Sequence, residues 1–525
     1  MENTKNLADI PAEKFEFAQK SDFAHDTKFD TKPSTYLQDA FRRFCKNRGS
    51  VVAAVVIIIL ILFAIIVPFC TEYTVDYEDI TFAFARPKSK LFANTNFWDG
   101  CSEKTAGFQT FIYYYAMGEE LVGAKEGNGG YYAIKNQSYK ITSEGLYSYR
   151  LDSYHSSGCE YKLLSEEEYK KIQDYQNTTG KQVLYPTVSL SNRPTATQDQ
   201  TNANYYYVTQ QRKGKTEAVL DENGNVQPAY WLKENPDDGY YSLRIEGTDG
   251  IVKDGKTYYY MYARQTSGSI EVRVNYYEYY IYYHTQVAKD GITEPCFLLG
   301  ATHIGKDVLT CLASGARFSF IFAIVIASIN LVIGAVYGAI AGYYGGAIDL
   351  VMERITDILS AVPMMIIITL LKYHMNTSGH ILILFLAFIA TGWIGMASTT
   401  RMQFYRVKNQ EYILAARTLG AKDRRLIWKH IFPNAIGTLV TSCALVIPSM
   451  IFSETSLSYL GIINLATGNI TSVGTLIAAG QPYLTTYPHI VAFPSVFLAL
   501  LMLSFNLFGN GLRDAFNPSL RDSEG

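Results

Sequence analysis

The segment that comes closest to a catalytic motif is GATHIGKD at residues 300–307. Its spacing, G-x4-G-K, matches a phosphate-binding loop, but Asp307 stands where such a loop has Ser or Thr. That hydroxyl ligates magnesium, whereas a carboxylate would repel the phosphates. No apolar strand precedes the segment, so we expect no nucleotide site here. Since no other segment offers one, ATP and magnesium would have to bind partner subunits if ATP drives this protein.

The histidines give no sign of a metal or catalytic centre. His303, His374, His380 and His430 are scattered along the chain and belong to no ligand cluster or nucleophile constellation. We interpret each of them as a hydrogen-bonded polar side chain rather than a ligand. The sequence therefore predicts that this chain carries no catalytic, cofactor-binding or metal-binding residue and is not itself an enzyme.

The elements around these residues are apolar runs of membrane length. Six runs carry few charges and reach the roughly 20 residues that a helix needs to cross a bilayer. They lie at 50–70, 316–342, 352–372, 380–399, 435–454 and 488–510. A polar segment precedes the first run, which argues against a cleavable signal peptide. The sequence predicts a polytopic α-helical membrane protein with six transmembrane helices.

Positive charges near the span ends predict the orientation, because cytoplasmic loops carry an excess of Lys and Arg. Such charges cluster before the first run and between the fourth and fifth runs, so we expect both termini in the cytoplasm of a multi-pass plasma-membrane protein. The predicted units are a cytoplasmic tail 1–48, a first transmembrane helix 49–70, an extracytoplasmic inserted domain 71–295, and a core 296–525 with five transmembrane helices and a cytoplasmic loop at about 401–434. The formal net charge of −2 gives no sign of a nucleic-acid partner.

Residues 71–295 predict a strand-rich α+β domain that holds 31 of the 41 tyrosines. The aromatic, alternating runs 256–265 and 270–283 flank TSGS at 266–269, which is typical of a hairpin turn. A similar pattern at 131–151 predicts further strands. Residues 164–176, LSEEEYKKIQDYQ, predict a charged helix in which Glu and Lys pair at i,i+4.

Two features of this domain stay open at this point. The tyrosines fit either a binding surface or the packing of aromatic strands. Four cysteines, Cys70, Cys101, Cys159 and Cys296, would share the outer side of the membrane. They fit either a disulfide in an oxidising compartment or free thiols, because their spacing follows no known framework.

Small and charged residues inside the spans suggest packing and pathway roles. Gly334, Gly338 and Gly342 recur every four residues, a pattern that lets helices approach closely in lipid. Asp357 and Glu454 are the candidates for polar residues along a pathway, because intramembrane carboxylates are costly and often functional. The alternative for both is a helix-packing hydrogen bond or a position at the membrane interface.

The basic segment 411–433 between the fourth and fifth runs predicts a helical hairpin. Residues 411–419 have helix-forming composition, Gly420 is typical of a helix end, and a second helix fits 422–431. We expect Pro433 to end this second helix before the fifth span. The hairpin has small side chains at its turn, and it could receive another protein or lie on anionic lipid.

The same segment resembles the EAA loop of the membrane permeases of ABC importers, E-A-A-x3-G-x9-I-x-L-P. Ala415, Ala416, Gly420 and Pro433 fall in register, whereas Leu414, His430 and Phe432 replace the Glu, Ile and Leu. Other stretches resemble the oligopeptide, dipeptide and nickel branch of that family, namely 41–70, 298–320, 341–363, 429–434, 454–462 and 505–521. The block 71–295 has no counterpart in the family pattern.

This resemblance implies a type I permease fold and an assembly around it. The implied partners are a second permease, two ABC ATPases, a lipid-anchored peptide-binding protein outside the cell, peptide substrate and membrane lipid. The implied ATPase-coupling residues are Glu411, Tyr412, Ala415, Ala416, Arg417, Gly420, Ala421, Arg424, Arg425 and Pro433. The alternative function is an ABC-coupled sensor or mechanical transmitter that acts through the outer domain on cell-wall or surface proteins.

Overall fold

The computed structural model describes residues 36–92, 95–116, 133–189, 196–198, 206–220, 224, 227, 229, 232–234, 251–253, 255–375, 380–465 and 471–516. Within these residues, long helices occur before residue 71 and after residue 307, and the strands lie between them. The predicted cytoplasmic tail 1–48 lies mostly outside the described residues, which begin at Tyr36.

The helices, in chain order, are α1 Tyr36–Lys46, α2 Arg48–Cys70, α3 Phe108–Ala116, α4 Glu166–Thr179, α5 Tyr276–Tyr282, α6 Val308–Tyr344, α7 Gly346–Ser360, α8 Met364–Met375, α9 His380–Gly392, α10 Ile394–Val407, α11 Glu411–Thr418, α12 Asp423–Arg425, α13 Phe432–Tyr459, α14 Val473–Gly480 and α15 His489–Phe516. The strands are β1 Cys101–Ala106, β2 Ile134–Ile141, β3 Tyr147–Asp152, β4 Cys159–Leu164, β5 Leu184–Tyr185, β6 Ala196–Gln198, β7 Tyr206–Arg212, β8 Lys215–Ala218, β9 Leu232–Lys233, β10 Ile251–Lys253, β11 Lys256–Tyr260, β12 Ala263–Thr266 and β13 Ser269–Asn275.

Five stretches of helix in the described part of the chain are long and apolar enough to cross a membrane. They are Arg48–Cys70, Val308–Tyr344, His380–Val407, Asp423–Tyr459 and His489–Phe516. A sixth, formed by α7 and α8 together, is bent by 72°. The span predicted for 352–372 therefore corresponds to this bent pair and not to one continuous helix. Pro363 lies at the bend, because a proline suits the start of α8 but not a helix interior.

The helices pack around α6, which contributes the most residues to the main apolar cluster. The first span, α2, runs antiparallel to α15 and is tied to it at the end nearest α1. There the Ser50 hydroxyl donates to the Leu507 carbonyl at 3.3 Å, and the ring of Phe44 meets the edge of Phe508 at 5.4 Å between centroids. The small α1 helix is thus fixed to the last span.

The glycine stripe of α6 faces α10. A Cβ added to Gly334 would lie 2.7 Å from the carbonyl oxygen of Trp393, and one added to Gly342 would lie 2.7 Å from the Cβ of Phe404. A Cβ on Gly338 would overlap the carbonyl of Ala397. Any side chain at these positions would force the helices apart, which is the close approach that the small-residue pattern predicts.

The outer block forms small antiparallel sheets, consistent with the predicted strand-rich insertion. Their strand orders are β1-β3-β2, β10-β11-β9, β6-β7-β8 and β12-β13-β4, with β5 also paired to β13. The predicted hairpin is confirmed: Thr266 pairs with Ser269 across the two-residue turn Ser267–Gly268, both with positive φ. The predicted charged helix is α4, where Lys170 and Lys171 pair with Glu166 and Glu167 four residues earlier.

The expectation of a strand over 270–283 is wrong in its second half. The strand β13 ends at Asn275, whose side chain accepts from the amides of Tyr277 and Glu278 and caps α5. Most of α5 is buried, so its tyrosines pack on several sides of a helix rather than on one face of a sheet. Tertiary packing has overridden the strand preference of these aromatic residues.

A buried ring cluster accounts for much of the tyrosine enrichment in the described residues. Tyr73, Tyr154 and Tyr280 are almost completely buried and pack with Phe82 and Phe297. The Tyr154 hydroxyl donates to the Arg86 carbonyl at 2.8 Å, so polar tips are satisfied inside the cluster. These tyrosines serve packing. All seven cysteines, which lie within the described residues, are free thiols.

The outer domain rests on the loop before α15. The ring of Phe84 stacks on Tyr487 at 4.3 Å between centroids, and the Arg86 guanidinium lies 4.9 Å from the same ring. The same guanidinium donates to the Thr486 carbonyl at 2.7 Å, and partial burial lowers the pKa of Arg86. The insertion is therefore joined to the helical core just before the start of α15.

Candidate coupling surface

The hairpin predicted at 411–433 begins with a short helix that ends in a glycine turn. After α11, the amide of Gly420 donates to the Arg417 carbonyl at 3.0 Å and that of Ala421 to the Ala416 carbonyl at 3.1 Å. This pattern is a Schellman-type helix end, and it requires a left-handed residue. Gly420 supplies it with φ of +84°. The tight turn therefore depends on a residue that lacks a Cβ.

The second helix of the hairpin continues directly into the fifth span, so the prediction that Pro433 ends it is wrong. The helix runs from Asp423 to Tyr459. Between Leu426 and Ile431 it widens to π-type turns, and the Phe432 amide donates to the Ile427 carbonyl five residues earlier. A widened turn makes room for the proline ring, which would otherwise clash with a carbonyl of the preceding turn. The hairpin is thus rigidly joined to α13.

One face of the hairpin is buried against the helical core. Ile413 of α11 packs with Leu426 and Ile431 of the second helix, and all three are fully buried. They meet Phe404 of α10 and Tyr343 at the end of α6. Because these contacts come from α6, α10 and α13 together, the hairpin cannot move without moving those helices.

Polar contacts fix the orientation of the hairpin. The Tyr343 hydroxyl donates to an oxygen of Asp423 at 2.6 Å, and the guanidinium of Arg417 lies 5.9 Å from the Tyr343 ring. On the other side, the amide of Asn434 donates to the Tyr412 hydroxyl at 2.9 Å. Partial burial raises the pKa of Tyr412, which therefore stays a neutral phenol. Two of the predicted coupling residues thus also hold the hairpin in place.

The opposite face is open and carries small, apolar and basic side chains. Most predicted coupling residues are exposed, namely Glu411, Tyr412, Ala415, Arg417, Gly420, Arg424, Arg425 and Pro433, whereas Ala416 and Ala421 are half-buried. Leu419, at the tip, is 88% exposed. A groove beside it is lined by Lys422, Arg424, Arg425, Trp428 and Lys429. Sequence reasoning missed Leu419 and Trp428, whose signal was a large apolar residue within a basic stretch.

An ion cluster above the hairpin joins α7 to α10. The Arg401 guanidinium donates to both oxygens of Asp349 at 2.6 and 2.7 Å and to Glu353 at 3.0 and 3.1 Å. The Tyr405 hydroxyl also donates to Asp349 at 2.6 Å. Bidentate Arg–carboxylate pairs fix both partners in geometry. Sequence reasoning did not identify this cluster, because its members come from two separate helices.

The two carboxylates proposed for a pathway lie in different surroundings. Asp357 is exposed, pairs with Arg354 at 2.9 Å, and lines a cavity of about 150 Å³ between α6, α7 and α10. Glu454 is 0% exposed and accepts hydrogen bonds from the hydroxyls of Ser319, Ser458 and Ser472. For Glu454, the structure therefore favours the alternative of a helix-packing hydrogen bond over contact with a solute.

The segment 300–307 caps a helix. A carboxylate oxygen of Asp307 accepts from the amide of Thr310 at 2.9 Å and from its hydroxyl at 2.6 Å, at the start of α6. Burial raises the pKa of Asp307 to about 6. The glycine at position 305 has φ of +75° and lies against the carbonyl of Asp79. The aspartate that breaks the phosphate-loop pattern is the N-cap of the second span.

Among the described residues, no group of three or more His, Cys, Asp or Glu side chains is arranged to hold a metal ion. The hairpin combines the exposed tip of Leu419 and Gly420, the basic groove beside it and a buried base against three spans. We call this surface, bounded by residues 411–429, the coupling surface.

Two family models match this chain on the two sides of the insertion. Residues 334–522 match the model described as binding-protein-dependent transport system inner membrane component. Residues 35–87 match the N-terminal TM domain of oligopeptide transport permease C. Both matches include spans of the helical core. The second match extends into the first residues of the block 71–295, and neither match includes any of the strands described above.

Relatives of this chain agree with these matches. The oligopeptide transport system permease protein OppC of Bacillus subtilis is 42% identical over 222 residues, 42% of this chain and 72% of that protein. The dipeptide permease DppC of the same organism is 39% identical over 42% of this chain and 68% of its own length. The methionine ABC transporter MetNI, in an inward-facing conformation, aligns at 15% identity over 39% of this chain and 96% of that chain with a TM-score of 0.32. On its sequence, this chain belongs to the family of oligopeptide and dipeptide ABC transport permeases, and the helical core described above is that permease.

Proposed function

We propose that this chain is one of the two membrane permeases of an ATP-driven peptide importer in a bacterial plasma membrane. It lines the translocation pathway together with a second, homologous permease. Two ABC ATPases bind below it and carry ATP and magnesium, while this chain binds neither. A lipid-anchored peptide-binding protein delivers peptide from outside. The family membership supports the role of transporter subunit, and no feature of the chain calls for a nucleic acid.

The observation that carries the proposal is the build of the coupling surface. Its exposed face offers an apolar tip and a groove with four basic side chains, while its buried face packs on α6, α10 and α13. An apolar tip that fits into a cleft of a partner is the usual form of an interface anchor. The basic groove would face acidic groups of the same partner and would steer the association.

The rigid base converts a displacement of the partner into a displacement of the spans. ATP binding closes the ATPase dimer in this proposal, and the closure moves the hairpin together with the three helices that hold it. A ligand that binds one of two global states better shifts the population toward that state. The helical core would then alternate between openings to the two sides by rigid-body motion.

The orientation follows from the same arrangement. The coupling surface and both chain termini lie in the cytoplasm, and residues 71–295 lie outside. The basic residues of the surface support this orientation through the positive-inside rule. The outer domain contacts the loop that precedes α15, and this contact supports a position of the domain beside the outer end of the pathway.

Peptide uptake in a strain that lacks this chain tests the proposal. The full chain should restore ATP-dependent uptake of labelled short peptides, provided that the partner subunits are present. A second complementation without residues 75–290 shows whether the outer domain is needed for uptake. If the full chain restores no uptake but restores the activity of cell-wall hydrolases at the surface, the sensor function holds instead and the proposal is wrong.

A further inference from the structure

An exposed apolar cluster lies at the base of the outer domain, outside the permease pattern. Leu91 is 89% exposed and Phe97 is 60% exposed, and Phe92 is exposed as well. The rings of Phe92 and Phe97 lie 6.1 Å apart, and those of Phe97 and Trp98 lie 4.5 Å apart. We call these four residues the aromatic knob. Large apolar side chains that cluster at a surface mark an interaction site.

The aromatic knob is held in a fixed position by buried charges. Behind it, the buried carboxylate of Asp99 binds Lys135 at 2.5 Å and Arg150 at 2.9 Å. The same two cations reach the backbone of the knob segment: Lys135 donates to the Thr95 carbonyl at 2.6 Å, and Arg150 donates to the Asn96 carbonyl at 3.1 Å. The exposure of the apolar rings is therefore built into the fold rather than the result of a loose loop.

The aromatic knob continues a stripe of the last span. The Trp98 ring packs on Phe493 of α15 at 5.7 Å between centroids, and the indole nitrogen donates to the Leu298 carbonyl. From Phe493 the same face of α15 carries four exposed apolar residues at spacings of three and four, namely Val496, Leu500, Leu503 and Leu507. An apolar stripe that stays exposed along a membrane span faces lipid or another span.

The position along α15 agrees with the membrane interface. From Phe493 to Leu507 the helix rises about 21 Å at 1.5 Å per residue, which is most of the roughly 30 Å hydrocarbon core. Phe493 is the first residue of this stripe and lies about one helical turn after His489, where α15 begins, so we infer a position close to the outer edge of the hydrocarbon. Trp and other aromatic side chains are enriched at this depth, where an apolar ring and a satisfied N–H both fit.

We propose that the aromatic knob, formed by Leu91, Phe92, Phe97 and Trp98, inserts into the outer interface of the bilayer and anchors the extracytoplasmic domain to lipid. The continuity with the exposed stripe of α15 favours lipid over a soluble protein as the occupant. The domain then has two attachments, one to the loop before α15 and one to the membrane. The inference is independent of which solute the permease carries.

Quenching by brominated lipid tests the insertion. The full chain would be reconstituted in vesicles of phosphatidylcholine brominated near the headgroup end of its acyl chains. In F97W, the added tryptophan fluorescence should be lost in brominated vesicles relative to unbrominated ones. The matched control is I141W, because Ile141 is 61% exposed and pairs with Tyr147, about 14 Å along β3 from Leu151, which pairs with Ile134 at the other end of β2. Its added fluorescence should persist. Equal persistence in F97W and I141W would overturn the proposal.

Photo-cross-linking in the native membrane separates lipid from a neighbouring subunit. The cross-linking amino acid p-benzoylphenylalanine in place of Phe97 keeps an aromatic ring at the tip of the aromatic knob. We expect a lipid adduct, detected by mass spectrometry of the full chain. A dominant adduct with another protein subunit would instead identify the aromatic knob as a subunit contact and would overturn the lipid assignment.

Discussion

Two helices of the permease core, α11 and α13, end in the same type of glycine turn, but the surroundings of the two turns differ. At the end of α11, Gly420 and Ala421 donate to the carbonyls of Arg417 and Ala416. At the end of α13, Gly461 donates to the Ser458 carbonyl at 3.0 Å, and Ile462 donates to the Leu457 carbonyl at 3.1 Å. Both glycines follow a leucine, both have positive φ, and neither would bring an added Cβ within 4 Å of other atoms.

The surroundings decide what each turn does. After Gly461 the chain turns inward, since Ile463 and Leu465 are buried in the main apolar cluster. The carbonyl of Ile462 accepts a hydrogen bond from the Lys372 ammonium at 3.0 Å, so this turn is bound by a side chain of the same helical core. The turn at Gly420 instead presents Leu419 and a basic groove outward. The same type of turn therefore leads the chain back into the core after α13, whereas after α11 it exposes an apolar and basic surface.

The largest expected difference between the two turns concerns bulk at the glycine. Gly420→Trp should abolish peptide uptake while the protein still inserts, because the ring would fill the space that the ATPase approaches. Gly461→Trp carries the same left-handed strain, a cost of about 1–3 kcal/mol, without blocking a partner. It should retain most of the uptake. The measurement is uptake normalised to the amount of chain in the membrane; equal loss in both variants would show that strain, not docking, is responsible.

The second largest effect is expected at the buried carboxylate that holds the outer end of α13. Glu454→Ala leaves the hydroxyls of Ser319, Ser458 and Ser472 without their acceptor. A buried polar group that loses its partner costs about 1–3 kcal/mol, so the variant should unfold at a lower temperature in detergent. The exposed carboxylate of Asp357 offers the control.

Asp357→Ala should leave the unfolding temperature nearly unchanged, since surface ion pairs contribute about 0–1 kcal/mol. If both variants unfold at the same temperature as the parent, Glu454 does not hold the outer end of the helix. If Glu454→Ala keeps its unfolding temperature but loses uptake, the carboxylate acts on the solute and not on packing.

The smallest of these effects is expected from the hydroxyl that holds the helical hairpin at residues 411–433. Tyr343→Phe removes the 2.6 Å hydrogen bond to Asp423 and keeps the ring under Arg417. A hydrogen bond to a charged group contributes about 1.5–3 kcal/mol when intact, and part of that is recovered from water at this surface. Uptake should fall by a few-fold, while the neighbouring half-exposed Tyr344→Phe should match the parent. If Tyr343→Phe takes up peptide at the rate of the parent protein, this hydrogen bond does not contribute to coupling.

The sequence was informative where a local rule matched the tertiary context. Composition and spacing predicted the glycine that ends α11, the hairpin at Ser267 and Gly268, the charged helix α4 and most of the spans. For the hairpin at 411–433, physical reasoning left a protein partner and a lipid surface as alternatives. The resemblance to the permease family then favoured a protein partner.

The predictions from sequence were wrong where the surrounding structure decides the local conformation. The helix passes Pro433 because six residues of π-type turn precede it, and no periodicity announces such a turn. The strand expected at Tyr276 became a helix because Asn275 caps it and the rings pack on several sides. Two of the three partners of Glu454 come from distant segments, Ser319 from α6 and Ser472 from the N-cap of α14, so this buried site has no complete signature along the chain.

Photo-cross-linking from the two leucines that precede these glycines tests the central claim most directly. The assembled transporter would carry p-benzoylphenylalanine in place of Leu419, which is 88% exposed, or in place of Leu460, which is 58% exposed. The coupling account predicts an adduct with the ATPase subunit from position 419 and none from position 460. Adducts with lipid alone from position 419 would contradict it and would make the hairpin a membrane-surface helix.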